Sequence, residues 1–417
     1  MTALAVFFYG RNIMAMKQTQ TKIFEFSDTG LDFCSGSKNL FPDRFKKMLA
    51  LGFNEKTVTG VVVAGNQVTL SYEFAHGYVA NRVLKVNSGP LSTLHGGEFW
   101  IESVSANTVT MTIESAPLSI ASGFVTKIAS LGWELVYELN HVHIYKFKHI
   151  DETDMYARLC FQNATIAGYR NCIAVGIGRQ VDLTLGTVVD APFDLGSCAT
   201  TTASTAKIKW DFTYDTVRSF DNSTYAQGLS QFGKAAIVGS QYHIFIAGNA
   251  YTDDRFSYIY GIFPFVSTLN NLNYPALLCC FNSSSTGSMG LGQHNDQRIY
   301  VCNVDCLTSS ITTYTFPASF ASQPFYPSSI EPFNTTGCFP IQLFTKNEKQ
   351  PLGFIAGGLY QAAYTTANKP PHTISQSPSV TADIDFNHSV VVHATSLNIN
   401  NPVSWLFSPV EEIKIGA

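Results

Sequence analysis

Charge is what this sequence has least of. Lys, Arg, Asp and Glu together make up 13% of its 417 residues, against roughly a quarter in ordinary soluble domains. The formal net charge is −4, and no basic run occurs. A protein that coats nucleic acid needs stripes of Lys and Arg to neutralise phosphates, so that class is excluded as an expectation. Long apolar runs are missing too. No uncharged stretch approaches the ~20 residues of a membrane span. The short apolar patch Ala3–Tyr9 lacks a preceding cation and a small-residue cleavage site, so no export signal is expected. The motifs of common enzymes are also missing: there is no G-x-S-x-G, no phosphate-cradling Gly loop, no H-E-x-x-H and no Asp-rich calcium loop.

Cysteine is present but sparse and unpatterned. Nine thiols in so long a chain do not form the dense framework of small secreted domains, so a reducing compartment is expected. Cys302 and Cys306, with His294 nearby, have part of a zinc spacing but no second paired element. They read as buried or incidental thiols.

Polar neutral residues, aromatics and turns are abundant. The stretch from Phe74 to Ile113 alternates short apolar runs with turns at His76-Gly77, Asn87–Pro90, His95–Gly97 and Ala106-Asn107. That is a β-meander, with glycines supplying the positive φ that tight turns require. Strands are expected at Val58–Val63, Gln67–Tyr72, Val83–Val86, Glu98–Val104, Thr108–Ile113 and Gly123–Ile128. The segment Leu40–Phe53 is the best helix, with Pro42 in its first turn, Phe45, Met48, Leu49 and Leu51 as an apolar side, and Gly52 as its stop. The meander is the sheet expected to cover that side.

Beyond it, Gly132–Leu139 and His141–Phe147 read as a hairpin, and further strand-like runs follow to the C-terminus. The expected organisation is an N-terminal arm, 1–28, in which Lys22–Phe26 pairs with a neighbour. A small β-domain with one helix, 29–128, and a larger β-sandwich domain, 129–417, follow. Overall the class is all-β with one short helix near the N-terminus, the small module being a barrel or sandwich. Two long intervals, 182–206 and 317–338, are expected to serve contact with other molecules.

Candidate chemistry is thin. His141 and His143 fall on one strand face, with His149 close in sequence, which is the geometry of a two-His metal pair; a polar strand face is the preferred reading. Asp383 and Asp385, and Asp253 with Asp254, are the nearest acidic pairs, and read as solvated faces or turns. The run Tyr258–Phe265 suits a core or interface better than a sugar-binding groove. No catalytic, cofactor-binding or metal-binding residue is assigned, and no cofactor is expected.

The order of features is similar to a family of tailed-bacteriophage virion structural proteins. In that family a helix ending in Gly-Phe, as at Leu51-Gly52-Phe53, leads into a Thr-Val-x-x-Val-x-Val-x-x-Gly strand, which resembles Thr57–Gly65. A His-Gly-aromatic turn follows, matched by His76-Gly77-Tyr78. The family's Leu-Asn-Gly-Glu is one residue longer here, at Leu94–Glu98, and lacks the Asn. An Asn-Thr-x-Thr strand resembles Asn107–Thr110, and Gly357–Tyr360 resembles a later Pro-Gly-Leu turn with the Pro lost. The resemblance spans most of residues 29–412. It implies a non-enzymatic, tail-associated building block: a sheath-like wrap, collar or fibre-attachment subunit, made in the bacterial cytoplasm and located in the virion. The implied partners are further copies of the chain and other virion proteins such as tail tube, portal or adaptor, and fibres, with no nucleic acid and no membrane. Low charge fits that expectation, since burying such a surface desolvates few ions. A receptor- or carbohydrate-binding tail protein, with exposed Tyr and Trp stacking on sugars, and a capsid decoration protein are the alternatives. A polysaccharide hydrolase would need two convergent carboxylates, for which few acids are available.

Overall fold

A computed structural model describes residues 16–165, 171–190, 195–212, 235–249, 257–269, 272–281, 297–308, 339–362, 379–383, 388–395 and 404–413. These residues are mostly strand, with one short helix near the N-terminus as its longest helical piece. The chain divides into two compact units, one built on Glu55–Lys127 and the other on Gln20–Asn54 together with Ile128 onward. The 317–338 interval expected to make contacts lies outside the described residues.

The smaller unit is the expected meander, closed into a barrel. Its strand segments bond in the order Glu98–Trp100, Val83–Val86, Val125–Ile128, Phe53–Ala64, Gln67–Tyr72, Thr108–Thr112, Ser103–Val104. The first and last members of that order are neighbours in sequence, parted by Ile101 and Glu102 alone. The Ile101 N–H donates to Arg82 O at 2.8 Å, whereas the Glu102 N–H donates to Thr110 O at 3.0 Å. One bent strand therefore changes partner midway and joins the two ends of the sheet order. A register shift between Val58 and Gly60 bends the long Phe53–Ala64 strand in the same way. Alternation along these strands turns Val58, Val68, Leu70, Val109, Met111 and Phe99 into the barrel core.

The larger unit contains a sheet that forks. The strand Ala276–Phe281 pairs along one whole edge with Gln297–Val301. Its other edge is shared: Ala276 to Leu278 pair with Ser257–Phe263, and Cys280 and Phe281 with Ile208–Asp211. One arm of the fork continues through Cys172–Gly178, Asp154–Phe161, Val142–Lys148 and Glu134–Leu139. The other runs through His243–Asn249 and Ala235–Ser240 to Lys22–Glu25. Diverging arms are how a single sheet makes the two layers of a sandwich. A separate sheet of Phe339–Pro340, Tyr360–Ala362, Ser404–Pro409, His388–Thr395 and Ser379–Asp383 completes the unit.

The helix fills the wedge of the fork. Phe41–Lys46 is α-helical and Lys47–Leu51 continues it as a wider π turn that ends at Gly52, whose φ is 75°. Phe41 and Phe45, one turn apart, are fully buried. Phe212, just past the Ile208–Asp211 strand, meets Phe41 at 4.8 Å and Tyr258, on the other arm, at 5.3 Å between ring centres. Phe45 packs on Phe161 at 5.7 Å. Each such buried ring contributes roughly 2–3 kcal/mol by removal from water. Trp133 adds a second tie, stacking on Phe147 at 4.7 Å while its indole N–H donates to Ser240 O at 2.8 Å.

Three expectations need correcting. The helix does not belong to a 29–128 domain: it is part of the larger unit, where Phe41 packs on Phe212 and Phe45 on Phe161. Leu51 does not share the apolar side, being 50% exposed, because the π turn rotates it outward. Lys22–Glu25 pairs antiparallel with residues 236–239 of its own chain, rather than waiting for a neighbour.

Candidate functional site

One concavity of about 360 Å³ in the larger unit is lined mainly by residues with polar side chains. Three chain segments converge on it. The turn before the helix supplies Lys38 and Asn39 and its first turn Pro42; the hairpin turn supplies Asn140 and His141; the exit of the Asp154–Phe161 strand supplies Gln162 to Thr165. Strand pairing brings the last two together, since the Phe161 N–H donates to His141 O at 2.8 Å.

The frame of this pocket is held by local bonds. Asn140 has φ 54°, a left-handed conformation that Asn tolerates and that lets a two-residue turn close the hairpin. The ring of His141 bonds Thr201 O through Nε2 at 2.6 Å, so Nε2 carries the proton. Gln162 Oε1 accepts from the Ser204 N–H at 3.2 Å. Asn163 Oδ1 accepts both the N–H and the hydroxyl of Thr165, at 3.0 and 2.8 Å, an Asx turn. No Asp or Glu is among the lining side chains. Such a site can exchange hydrogen bonds with a ligand, but it has no carboxylate pair for acid–base work.

A second ordered feature is the segment after the Cys172–Gly178 strand, expected to be a loop. It begins as a small hairpin, Val181–Asp182 with Thr187–Val188, and resumes in a helical turn, Leu195–Ala199. Arg158, fully buried on the Asp154–Phe161 strand, reaches across to it. Its Nε donates to Gly186 O at 2.6 Å and its Nη2 to Thr200 O at 2.7 Å. Asp182 Oδ1 accepts from the N–H groups of Thr184 and Leu185 at 2.8 and 3.0 Å. The fixed hairpin presents Leu183 and Leu185 in its turn and Val189 at its open end, opposite Gln180; they are 49%, 69% and 53% exposed.

The structure separates the residues that the sequence placed together as possible ligands. His141 sits in the turn and lines the pocket, whereas His143 is buried and bonded through Nδ1 to the Tyr145 hydroxyl at 2.9 Å. Burial pushes the His143 imidazole down to about 4, so it is neutral. Cys302 lies in a hairpin turn and Cys306 on the strand that follows it, and burial pushes both thiols up to about 12, far from the thiolate that zinc takes. His294, Asp253, Asp254 and Asp385 lie outside the described residues. Among the described residues no three His, Cys, Asp or Glu side chains gather as a metal site.

The aromatics behave as core. Tyr258, Tyr260, Ile262, Phe263 and Phe265 are buried, with Tyr258 bonded to the Ser35 hydroxyl at 3.0 Å and Tyr260 to Asp211 O at 2.8 Å. Trp100, Trp133 and Trp210 are buried as well, so none of the three offers a face to a sugar. His76 is the turn residue it was read as. Its Nδ1 accepts from the Tyr78 N–H at 2.9 Å, which leaves Nε2 to donate to Thr108 O at 3.1 Å.

Sequence reading missed Arg158, one Arg within a strand, and missed the pocket entirely. The only local signals were the Asn residues, Asn140 at a hairpin tip and Asn163 two residues before Thr165. No family model and no curated protein matches the chain. No helix among the described residues is long and apolar enough to cross a membrane.

Proposed function

We propose that this chain is a non-enzymatic structural subunit of a tailed-phage virion, tail-associated, which works by contact with further copies of itself and with neighbouring virion proteins. The observation that carries the reading is the small hairpin at residues 181–189, with its exposed Leu183, Leu185 and Val189. Apolar side chains exposed on a mobile loop lose entropy on docking. Here the backbone is already fixed by Arg158 and Asp182, so burying Leu183, Leu185 and Val189 on a partner costs little further order. The neutral polar composition supports the same reading, because few charges need desolvation in a large interface. The motif order from Leu51-Gly52-Phe53 to Asn107–Thr110 supplies the phage context.

The test is to change Leu183 and Leu185 together to Glu and follow assembly of the full chain. Light scattering after size exclusion is expected to find oligomers for the parent chain and monomers for L183E/L185E, with unchanged melting temperature. Purified particles from the host are expected to contain the parent chain in many copies. A parent chain that stays monomeric at all concentrations and is absent from particles overturns the proposal.

A further inference from the structure

We infer that the pocket between the helix entry and the Asn140-His141 turn binds one neutral sugar unit, of the size found at the end or within a glycan chain. This inference is independent of the assembly reading, since it concerns a different face of chemistry: hydrogen-bond exchange in a concave site rather than apolar docking at a hairpin.

Size comes first. A cavity of about 360 Å³ lies at the lower end of the ~300–1,000 Å³ range of small-molecule sites, room for one ring and not for a nucleotide with its phosphates. Chemistry comes next. Asn140 has no hydrogen bond to its side chain, and Asn163 uses only Oδ1, so its NH₂ is uncommitted. The Nδ1 of His141 is an acceptor, because the proton is on the Nε2 that bonds Thr201 O. The Thr165 hydroxyl gives its proton to Asn163 and keeps its lone pairs. The uncommitted groups are therefore a mixture of donors and acceptors on a fixed frame. Vicinal hydroxyls of a sugar, each donor and acceptor at once, match such a set. A carboxylate, which only accepts, matches the His141 and Thr165 acceptors less well than a hydroxyl does. Pro42 and Ala164 supply small apolar contacts for the C–H face of a ring.

Preorganisation supports binding over mere solvation. The frame atoms are bonded to Thr201 and within the Asx turn before any ligand arrives, so little conformational entropy is lost on binding.

The experiment uses the full chain and four probes: D-glucose, D-galactose, N-acetyl-D-glucosamine and N-acetyl-D-galactosamine, with glycerol and inorganic phosphate as comparison ligands. Saturation-transfer NMR is expected to show saturable binding of at least one sugar with Kd of about 1–10 mM, and glycerol and phosphate at least roughly tenfold weaker. Asn140→Gly removes the carboxamide where φ is 54°, a position glycine accepts without strain. It is expected to keep the melting temperature and to weaken the sugar about tenfold. Thr165→Val is the second variant, with a similar expected loss. No saturable sugar below about 50 mM, equal binding of glycerol, or full binding by folded Asn140→Gly would each overturn the inference.

Discussion

The guanidinium of Arg158 donates to the carbonyl of Thr200 at 2.7 Å, in an interior position where an ammonium or guanidinium is usually met by a carboxylate. Its Nε meets Gly186 O at 2.6 Å, and Ser197 O lies 3.5 Å from Nη1. Three carbonyls share one cation, so the charge acts as a clasp that ties Gly186 to Ser197 and Thr200. Burial pushes its proton affinity down from the usual Arg range, yet the group stays charged.

Replacing Arg158 by Met leaves those carbonyls without a donor. A loss of about 2–4 kcal/mol is expected in urea unfolding. Arg158→Lys keeps the charge but not the fork, and is expected to fall between the two. Limited proteolysis should cut within residues 182–200 of R158M much faster than in the parent. Equal digestion rates would show that the clasp does not hold the segment.

Gly96 and Gly97 adjoin in the turn before the bent strand, and both have positive φ, 66° and 70°. They differ in surroundings. A Cβ on Gly97 would come 2.4 Å from Val86 O, whereas one on Gly96 meets nothing within 4 Å. Gly96→Ala is expected to cost about 1 kcal/mol from backbone conformation alone. Gly97→Ala must also move the backbone, so a loss of at least roughly 2–3 kcal/mol and a loosened barrel are expected, read by thermal melting and by amide exchange at Ile101 and Glu102.

Phe212 touches Phe41, Phe45, Tyr258 and Tyr260, rings that come from the helix and from one arm of the fork. Truncation to Ala is expected to cost about 3–5 kcal/mol, as a cavity opens where several elements meet. Leu51→Ala, on the same helix but exposed, is expected to change stability by less than about 0.5 kcal/mol. Denaturant midpoints of the two variants provide the comparison.

His143 sets an acid limit. Burial is the main cause of its low value of about 4; Glu138, 3.7 Å away, opposes the shift, while Lys46 and His141 add to it. Unfolded, the imidazole titrates near 6.5. Between those values the unfolded chain binds the extra proton, so stability is complete above pH ~6.5 and falls as pH drops toward 4. The contribution at stake is on the order of 3 kcal/mol. His143→Gln, which cannot titrate, is expected to show a shallower decline between pH 7 and pH 4.5 in chemical denaturation. An identical slope in both proteins would remove His143 as the cause.

Local pattern was enough for the elements. Alternation at Gln67–Tyr72 and Thr108–Thr112, and the breakers at Gly65-Asn66 and His95–Gly97, place strands and turns because side-chain period and positive-φ chemistry act within a few residues. The same holds for the helix start at Pro42 and its stop at Gly52. His76 was legible as a turn residue because its partner, Tyr78, is two positions away. The pocket was not legible, since pairing of adjacent strands brings Asn140 and Asn163 together and only the tertiary packing of the helix adds Asn39, about a hundred residues away. Arg158 looked like one more strand residue until Gly186 and Thr200 were found beside it.

What the sequence by itself determined is therefore the all-β character, the positions of most strands, the single short helix and the turn chemistry between them. Each follows from interactions within one turn or one strand. Tertiary structure alone decided three things. Glu98–Val104 changes partner and closes a barrel, the helix lies in the wedge of a forked sheet, and a buried arginine fixes the apolar hairpin. The physical reason is the same in each case. Partners such as Ile101 with Arg82, Phe45 with Phe161 and Arg158 with Thr200 are chosen by which buried groups can satisfy one another across the fold, and that choice leaves no periodic mark along the chain.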